Sequence, residues 1–320
     1  MPVRVDMFRL PRFFRMFALF VALTAVCRCA VANEPCEDRT VLVSTRHLTS
    51  DVCRAEIECP DLRFWSCDTG ASLSLQEYEA GLRPDRPVVV YLHGNRMPAS
   101  ELMKRFQTVR SLLKPRLCTG GVDWLVYSWP SERTIKGIDD FRLKASRCDA
   151  QGLYLAWLLR RQVERGVSVN LVGYSFGARV ATGALHSLGG GSLGGRRLSG
   201  ETIAGARMRV ALVAPAIDSG WLAPGGYHQR AAGNLGQILL LFNPRDVVLK
   251  RYWLVAGRRG NRALGVTGLQ SLAPGADGEC VPVRSCDFSP AVGIRHAELG
   301  YYMGTGNAAR EVAWLINDVR

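Results

Sequence analysis

Short apolar runs recur along the chain at Val88–Leu92, Trp124–Ser128, Val169–Val172, Arg209–Val213 and Ile238–Phe242. They are nearly continuous rather than alternating, which is the pattern of strands buried on both faces. Between them the apolar positions change to helical spacing. Leu102, Phe106, Val109 and Leu113 share one face, as do Leu155, Leu158, Leu159 and Val163, with Gly166 placed to stop that helix. A last helix is predicted from about Asn307, with Val312, Leu315 and Val319 on one side, and a weaker strand-like stretch, Val281–Phe288, precedes it. Alternating strands and helices predict an α/β fold, a mostly parallel central sheet with helices on both faces.

Residues 33–83 break this pattern. They are polar, carry Cys36, Cys53, Cys59 and Cys67, and contain one clear strand run, Thr40–Ser44. They read as a Cys-rich N-terminal extension stapled onto the main domain, and the turn-forming Arg83-Pro84-Asp85-Arg86-Pro87 marks the boundary with residues 84–320. Upstream, Arg4, Arg9, Arg12 and Arg15 lead into an apolar run from Met16 to Val26, followed by Ala30-Val31-Ala32. A positive leader, a short apolar core and small residues at a cleavage point read as a signal peptide over residues 1–32, cut before Asn33. The apolar run is too short to span a bilayer. The expected location is therefore secreted or periplasmic.

Cysteine usage agrees with export. Ten cysteines fall to eight once residues 1–32 are removed. An even number in an exported chain predicts disulfides, although sequence leaves their pairing open. Cys148, on a predicted helix, reads equally well as a buried thiol. No cysteine or histidine cluster has metal-site spacing, so neither metal nor cofactor is expected.

The composition, 48% hydrophobic and 22% charged, supports a large core. The formal charge is +13, and loss of the leader, with five Arg and one Asp, leaves +9. A basic surface favours association with an anionic cell envelope. The arginines are scattered and not interleaved with aromatics, so nucleic-acid binding is not expected. The glycines at 189–191 and 194–195 follow a helix and lack the Lys-Ser/Thr of a phosphate-binding loop, which makes them a flexible surface loop.

Gly173-Tyr174-Ser175-Phe176-Gly177 matches G-x-S-x-G. In a chain with 33 glycines the match alone is weak, but its context is specific. A buried-strand run, Val169–Val172, ends at the motif and a helix-forming stretch, Ala178-Arg179-Val180-Ala181, begins after it. That is the strand–turn–helix of a nucleophile elbow, which makes Ser175 the candidate nucleophile. The N–H of Phe176 is one expected oxyanion donor. The second is the N–H of Asn95, in the segment His93-Gly94-Asn95-Arg96 that follows an earlier strand run. His93, ahead of the nucleophile, reads as a loop-shaping residue rather than a base.

A base and an acid should follow in the order Ser, Asp or Glu, His. His186 lies on the next helix and His228 in a Gly/Pro-rich stretch with no acid suitably placed before it. His296, after the last strand-like stretch and before a helix, is the candidate base. Asp246 closes the turn after Ile238–Phe242 and is the candidate acid, with Asp218 its rival. Trp221, in the Gly- and Pro-rich stretch from Pro215 to Gly236, is the candidate substrate contact; Trp129 and Trp157 are weaker ones. Arg142 and Lys144 read as a solvated helix face more readily than as anion ligands.

Together these residues make the chain resemble the α/β-hydrolase superfamily. More narrowly, they resemble uncharacterised bacterial α/β hydrolases with an early HG-N segment (His93–Asn95), a strand ending in Ser128-Trp129-Pro130-Ser131, the elbow at Ser175 and a late Asp246…His296 pair. The resemblance covers about residues 84–320. It implies an exported serine hydrolase that cleaves an ester or related acyl bond of a small-molecule substrate through an acyl-enzyme. An acyltransferase using the same three residues, and a non-catalytic binding protein on the same fold, stay open at this point.

Overall fold

A computed structural model describes residues 37–48 and 57–317. The leader at 1–32 and the cysteines Cys36 and Cys53 lie outside the described residues. The described chain is built on a nine-stranded sheet with spatial order β3-β2-β1-β5-β4-β6-β7-β8-β9. Its strands are β1 (Arg39–Ser44), β2 (Arg63–Ser66), β3 (Ser72–Leu73), β4 (Val88–Leu92), β5 (Asp123–Ser128), β6 (Val169–Tyr174), β7 (Met208–Val213), β8 (Leu235–Phe242) and β9 (Val283–Asp287). Pairing is antiparallel only between β1 and β2 and between β2 and β3; every other neighbouring pair is parallel.

The five apolar runs are the central strands β4 to β8. Every residue of β4 and β5 is buried, as near-continuous apolar sequence requires of a sheet covered on both faces. The longer helices are α1 (Leu75–Ala80), α2 (Ala99–Leu113), α3 (Ile138–Glu164) and α4 (Phe176–Leu188). After them come the short α5 (Trp253–Ala256), α6 (Leu264–Thr267), α7 (Ser289–Val292) and α8 (Glu298–Tyr302), and finally α9 (Ala308–Asn317). The helix α3 begins well before its apolar repeat. Its first turns bury Asp140 and Lys144 as a mutually bonded pair, with Nζ to Oδ1 at 3.3 Å, so polar residues sit where a hydrophobicity pattern expects solvent. Farther along, α3 packs closely on α4. A Cβ on Gly152 would come within 3.2 Å of the Gly183 backbone.

The Cys-rich stretch contributes more order than its sequence suggests. Within it, β1 continues the sheet beyond β5 in parallel register, and β2 and β3 form the edge. Phe64 of β2 is buried and stacks on Tyr78 of α1 at 4.8 Å. Strands of four and two residues are too short to leave a periodic signal. The expected disulfides are absent among the described cysteines. Cys59, Cys67, Cys118, Cys148, Cys280 and Cys286 are free thiols spread over separate elements, and Cys148 is buried in α3. The glycine-rich loop after α4 is not a free surface loop either. Leu193 is fully buried, and a Cβ on Gly152 or Gly183 would meet its Cδ1 at 2.8 or 3.3 Å.

Strand β4 sits between β5 and β6, so the chain crosses the sheet one way into β5 and the other way from β6 to β9. Ligand sites of parallel α/β sheets open at the carboxyl ends of the strands where the order reverses. Here that crevice lies beyond the ends of β4 and β6. Among the described residues no helix is long and apolar enough to cross a membrane, and no group of His, Cys, Asp or Glu has the arrangement to hold a metal ion.

Candidate active site

Ser175 stands between β6 and α4 with φ +53°, a backbone region that L-residues rarely enter. The turn is sharp enough to dictate both flanking glycines. A Cβ on Gly177 would lie 2.1 Å from the Leu92 carbonyl oxygen, and one on Gly173 would lie 2.8 Å from Ala178 Cα. Only a residue without a side chain allows α4 to meet the ends of β4 and β6 this closely. The strain is held by backbone bonds: Ser175 N–H donates to Val213, and its carbonyl accepts from Ala178 and Ala216.

His296 Nε2 lies 2.9 Å from Ser175 Oγ, and its Nδ1 lies 2.6 Å from Asp246 Oδ2. An ionised carboxylate can only accept, so Nδ1 carries the ring proton and Nε2 is free to accept from the serine hydroxyl. Asp246 is fully buried, and its other oxygen accepts from the N–H groups of Val248 and Leu249, each at 2.9 Å. The rival Asp218 is engaged elsewhere, with Asn261 Nδ2 at 2.7 Å and Gly220 N–H at 2.9 Å. Asn243 joins the loop that carries Asp246 to the segment that leads to His296. Its Nδ2 donates to the Gly293 carbonyl at 2.8 Å while Val247 N–H donates to the Ile294 carbonyl at 3.1 Å. Its place before Pro244 in a turn was the sole local hint. The Tyr174 ring stacks on His296 at 5.2 Å.

The loop after β4 crosses directly beside Ser175. A Cβ on Gly94 would meet Ser175 Cβ at 3.2 Å and the Tyr174 ring at 2.8 Å. Phe176 is the first residue of α4, so its N–H has no intrahelical acceptor. Asn95 borders the same cavity, and both polar atoms of its side chain are buried without a partner among the described residues.

A clamp from β5 holds this loop. Trp129 Nε1 donates to the His93 carbonyl at 3.0 Å, its ring stacks on the imidazole at 5.4 Å, and its N–H donates to His93 Nε2 at 3.3 Å. That leaves Nδ1 of His93 to donate to the Gly94 carbonyl at 2.9 Å. Ser131 Oγ accepts from Met97 N–H at 3.1 Å. Burial pushes the His93 pKa down to about 3. His93 is thus a neutral loop-shaping residue, as its place ahead of Ser175 suggested. The role of Trp129 and Ser131 carried no local signal beyond the shared motif.

Ser175 and His296 open into a cavity of about 780 Å³. Its apolar wall includes Ile138, Phe141, Leu254 and Val255, so the cover over the site comes from α3 and the segment 248–255, not from the stretch between Pro215 and Gly236. Trp221 does not line it. The indole faces an adjoining hollow, with the Arg179 guanidinium 4.5 Å above its ring and His228 at 4.6 Å, because that stretch folds back onto α4. Trp129 is fully buried, and Trp157 ties α3 to the Glu58 carbonyl at 2.8 Å. Arg142 borders the adjoining hollow, and Lys144 is not solvated but buried with Asp140. Glu298, which the sequence did not flag, is fully buried beside His296. It accepts from Tyr91 Oη at 2.8 Å and from Arg105 at 3.2 Å, and burial raises its pKa.

No family model and no curated protein matches this chain. Among solved structures, it is similar to esterase B from Lactobacillus rhamnosis with a tributyrin phosphonate inhibitor, at 13% identity and a TM-score of 0.35 over 96% of this chain and 94% of that one. It is likewise similar to a putative hydrolase from Agrobacterium vitis S4, at 13% identity and a TM-score of 0.34 over 81% of this chain and 96% of that one.

Proposed function

We propose that this protein is a serine hydrolase that cleaves an ester or related acyl bond of a small-molecule substrate. The observation that carries the reading is the continuous chain Ser175 Oγ, His296, Asp246, at 2.9 and 2.6 Å, opening into a largely apolar cavity. An isolated serine hydroxyl keeps its proton at neutral pH and is a weak nucleophile. In this arrangement Nε2 of His296 takes that proton as Oγ attacks the substrate carbonyl, and the Asp246 carboxylate stabilises the resulting imidazolium. The carbonyl oxygen gains the electron pair of its π bond and is received by the N–H groups of Phe176 and Asn95. Collapse expels the alcohol, which takes the proton from His296, and leaves an acyl group on Ser175. Water repeats the sequence and releases the acid. The leader over residues 1–32 supports export of this activity.

The test is a fluorophosphonate probe on the mature protein. Wild type should be labelled at Ser175, and Ser175→Ala should not be labelled while keeping the wild-type melting temperature. Equal labelling of both proteins, or labelling of neither, overturns the reading.

A further inference from the structure

The cavity around Ser175 is unevenly charged. Among the described residues, Glu298 is its only acidic lining residue, and Tyr91 and Arg105 already bond that carboxylate. Two further arginines line the cavity and are exposed at its edge. Arg251, after β8, bonds the Val247 carbonyl at 2.9 Å and has no carboxylate within ion-pair distance among the described residues. Arg96, on the loop beside Ser175, lies with its guanidinium 4.5 Å over the Phe141 ring, and its side chain is 44% exposed. The nearest acid to Arg96 is Asp140, at 3.7 Å, and Asp140 is also paired with Lys144 at 3.3 Å. One carboxylate between two cations leaves a net positive charge on that side. The remaining wall, with Phe141, Leu254 and Val255, is apolar, and Val248 carries it outward with 42% exposure.

A cavity that presents one guanidinium without a carboxylate partner, and a second that shares its carboxylate with Lys144, beside an apolar wall attracts ligands of opposite charge, and the low-dielectric wall focuses that field. Resting on the serine hydrolase reading, we propose that the substrate is an ester bearing an anionic group, a carboxylate or phosphate, that Arg251 and Arg96 receive while its apolar part lies along Phe141, Leu254 and Val255. This names the substrate class of the site. The anion can belong to a soluble acyl compound or to a lipid headgroup, since the recognising chemistry is the same.

The experiment compares 4-nitrophenyl pentanoate with its counterparts carrying a terminal carboxylate or a terminal trimethylammonium. At low salt kcat/KM should be highest for the carboxylate ester, by about tenfold or more over the neutral one, as expected for a hydrogen-bonded charge contact. The advantage should reside in KM and shrink at about 0.5 M salt, where screening is strong. In Arg251→Gln and Arg96→Gln the ratio of carboxylate to neutral ester should fall about tenfold, and Arg251→Lys should restore part of it. A dibutyryl phosphatidylglycerol arm assigns the source: its turnover in preference to the soluble carboxylate ester identifies a headgroup, and the reverse identifies a soluble substrate. Turnover of the neutral ester at or above the carboxylate ester, with Ser175 still labelled, overturns the proposal and leaves the hydrolase reading intact. Loss of labelling overturns the hydrolase reading instead. Calorimetric titration of Ser175→Ala with the neutral and carboxylate esters then decides the proposal by binding alone, and equal affinity overturns it.

Discussion

The loop after β4 and the segment between β9 and α8 each bring a histidine to the same end of the sheet. Both rings turn Nδ1 to an oxygen acceptor and Nε2 to an N–H or O–H group. His93 is fully buried, and its Nε2 accepts from the backbone N–H of Trp129. His296 has a partly exposed side chain, and its Nε2 faces the Ser175 hydroxyl. The partner on Nδ1 differs as well: a neutral carbonyl for His93 and a buried carboxylate for His296. A histidine without a nearby anion, sealed from water, cannot hold a proton, and the His93 pKa falls to about 3. A histidine backed by a carboxylate, at the edge of a cavity, can take a proton and return it. Identity and strand-end position are the same, and the environment separates a sealed scaffold residue from one placed to act as the proposed base.

The largest expected effect sets these two residues against each other. His296→Ala should lower kcat on the order of 10^4–10^6-fold with little change in melting temperature, because residues of such a set act as a unit. His93→Ala should lower the melting temperature and retain far more turnover per folded molecule. A folded His93→Ala protein as inactive as His296→Ala would break the comparison. Next in size, Asp246→Asn should cost up to about 10^4-fold in kcat, since the amide favours the wrong tautomer of the base. Asp218→Asn, whose carboxylate bonds Asn261 and Gly220, should stay near wild type. The reverse ranking in steady-state kinetics would move the acid to Asp218.

A pH series sharpens the contrast on stability. The His93 pKa is depressed from 6.5 to about 3 by burial, so above pH 6.5 neither the folded nor the unfolded chain protonates it and its packing contributes fully. As the pH falls from 6.5 towards 3 the unfolded chain takes up a proton that the folded one refuses, and stability declines. The loss from this residue reaches about 2 kcal/mol by pH 5. Burial lowers the pKa values of His186 and His228 as well, which adds loss of the same sign. Denaturant unfolding at pH 7.5 and pH 5 should show His93→Gln less stable than wild type at pH 7.5 but less sensitive to acid. An equal acid sensitivity in both proteins would show that His93 is not held neutral by burial. The smallest effect belongs to Asn243→Ala, which removes the Gly293 bond and should cost about 1–2 kcal/mol and a modest part of kcat. Unchanged stability and kcat would show that the acid and base loops hold their spacing without it.

Local patterns determined much of this protein. The apolar runs at β4 to β8 declare central parallel strands because burial on both faces demands continuous hydrophobicity. The elbow is legible because its glycines answer a local steric demand, visible here as the 2.1 Å approach that a Cβ on Gly177 would make to Leu92. Chain order alone singled out Asp246 and His296 as candidates. Other features had no local signature. The strands β2 and β3, the early start of α3 and the anchoring of Leu193 depend on partners distant in sequence. So do the burial of Trp129 against His93, the turning of Trp221 into the adjoining hollow, and Glu298 beside the base. Only the tertiary structure brings Asp246 to His296 across 50 residues and His296 to Ser175 across 121. Steric and hydrophobic demands act between neighbours along the chain, whereas contact distance, desolvation and charge pairing act through space, and those decide which histidine can work as a base.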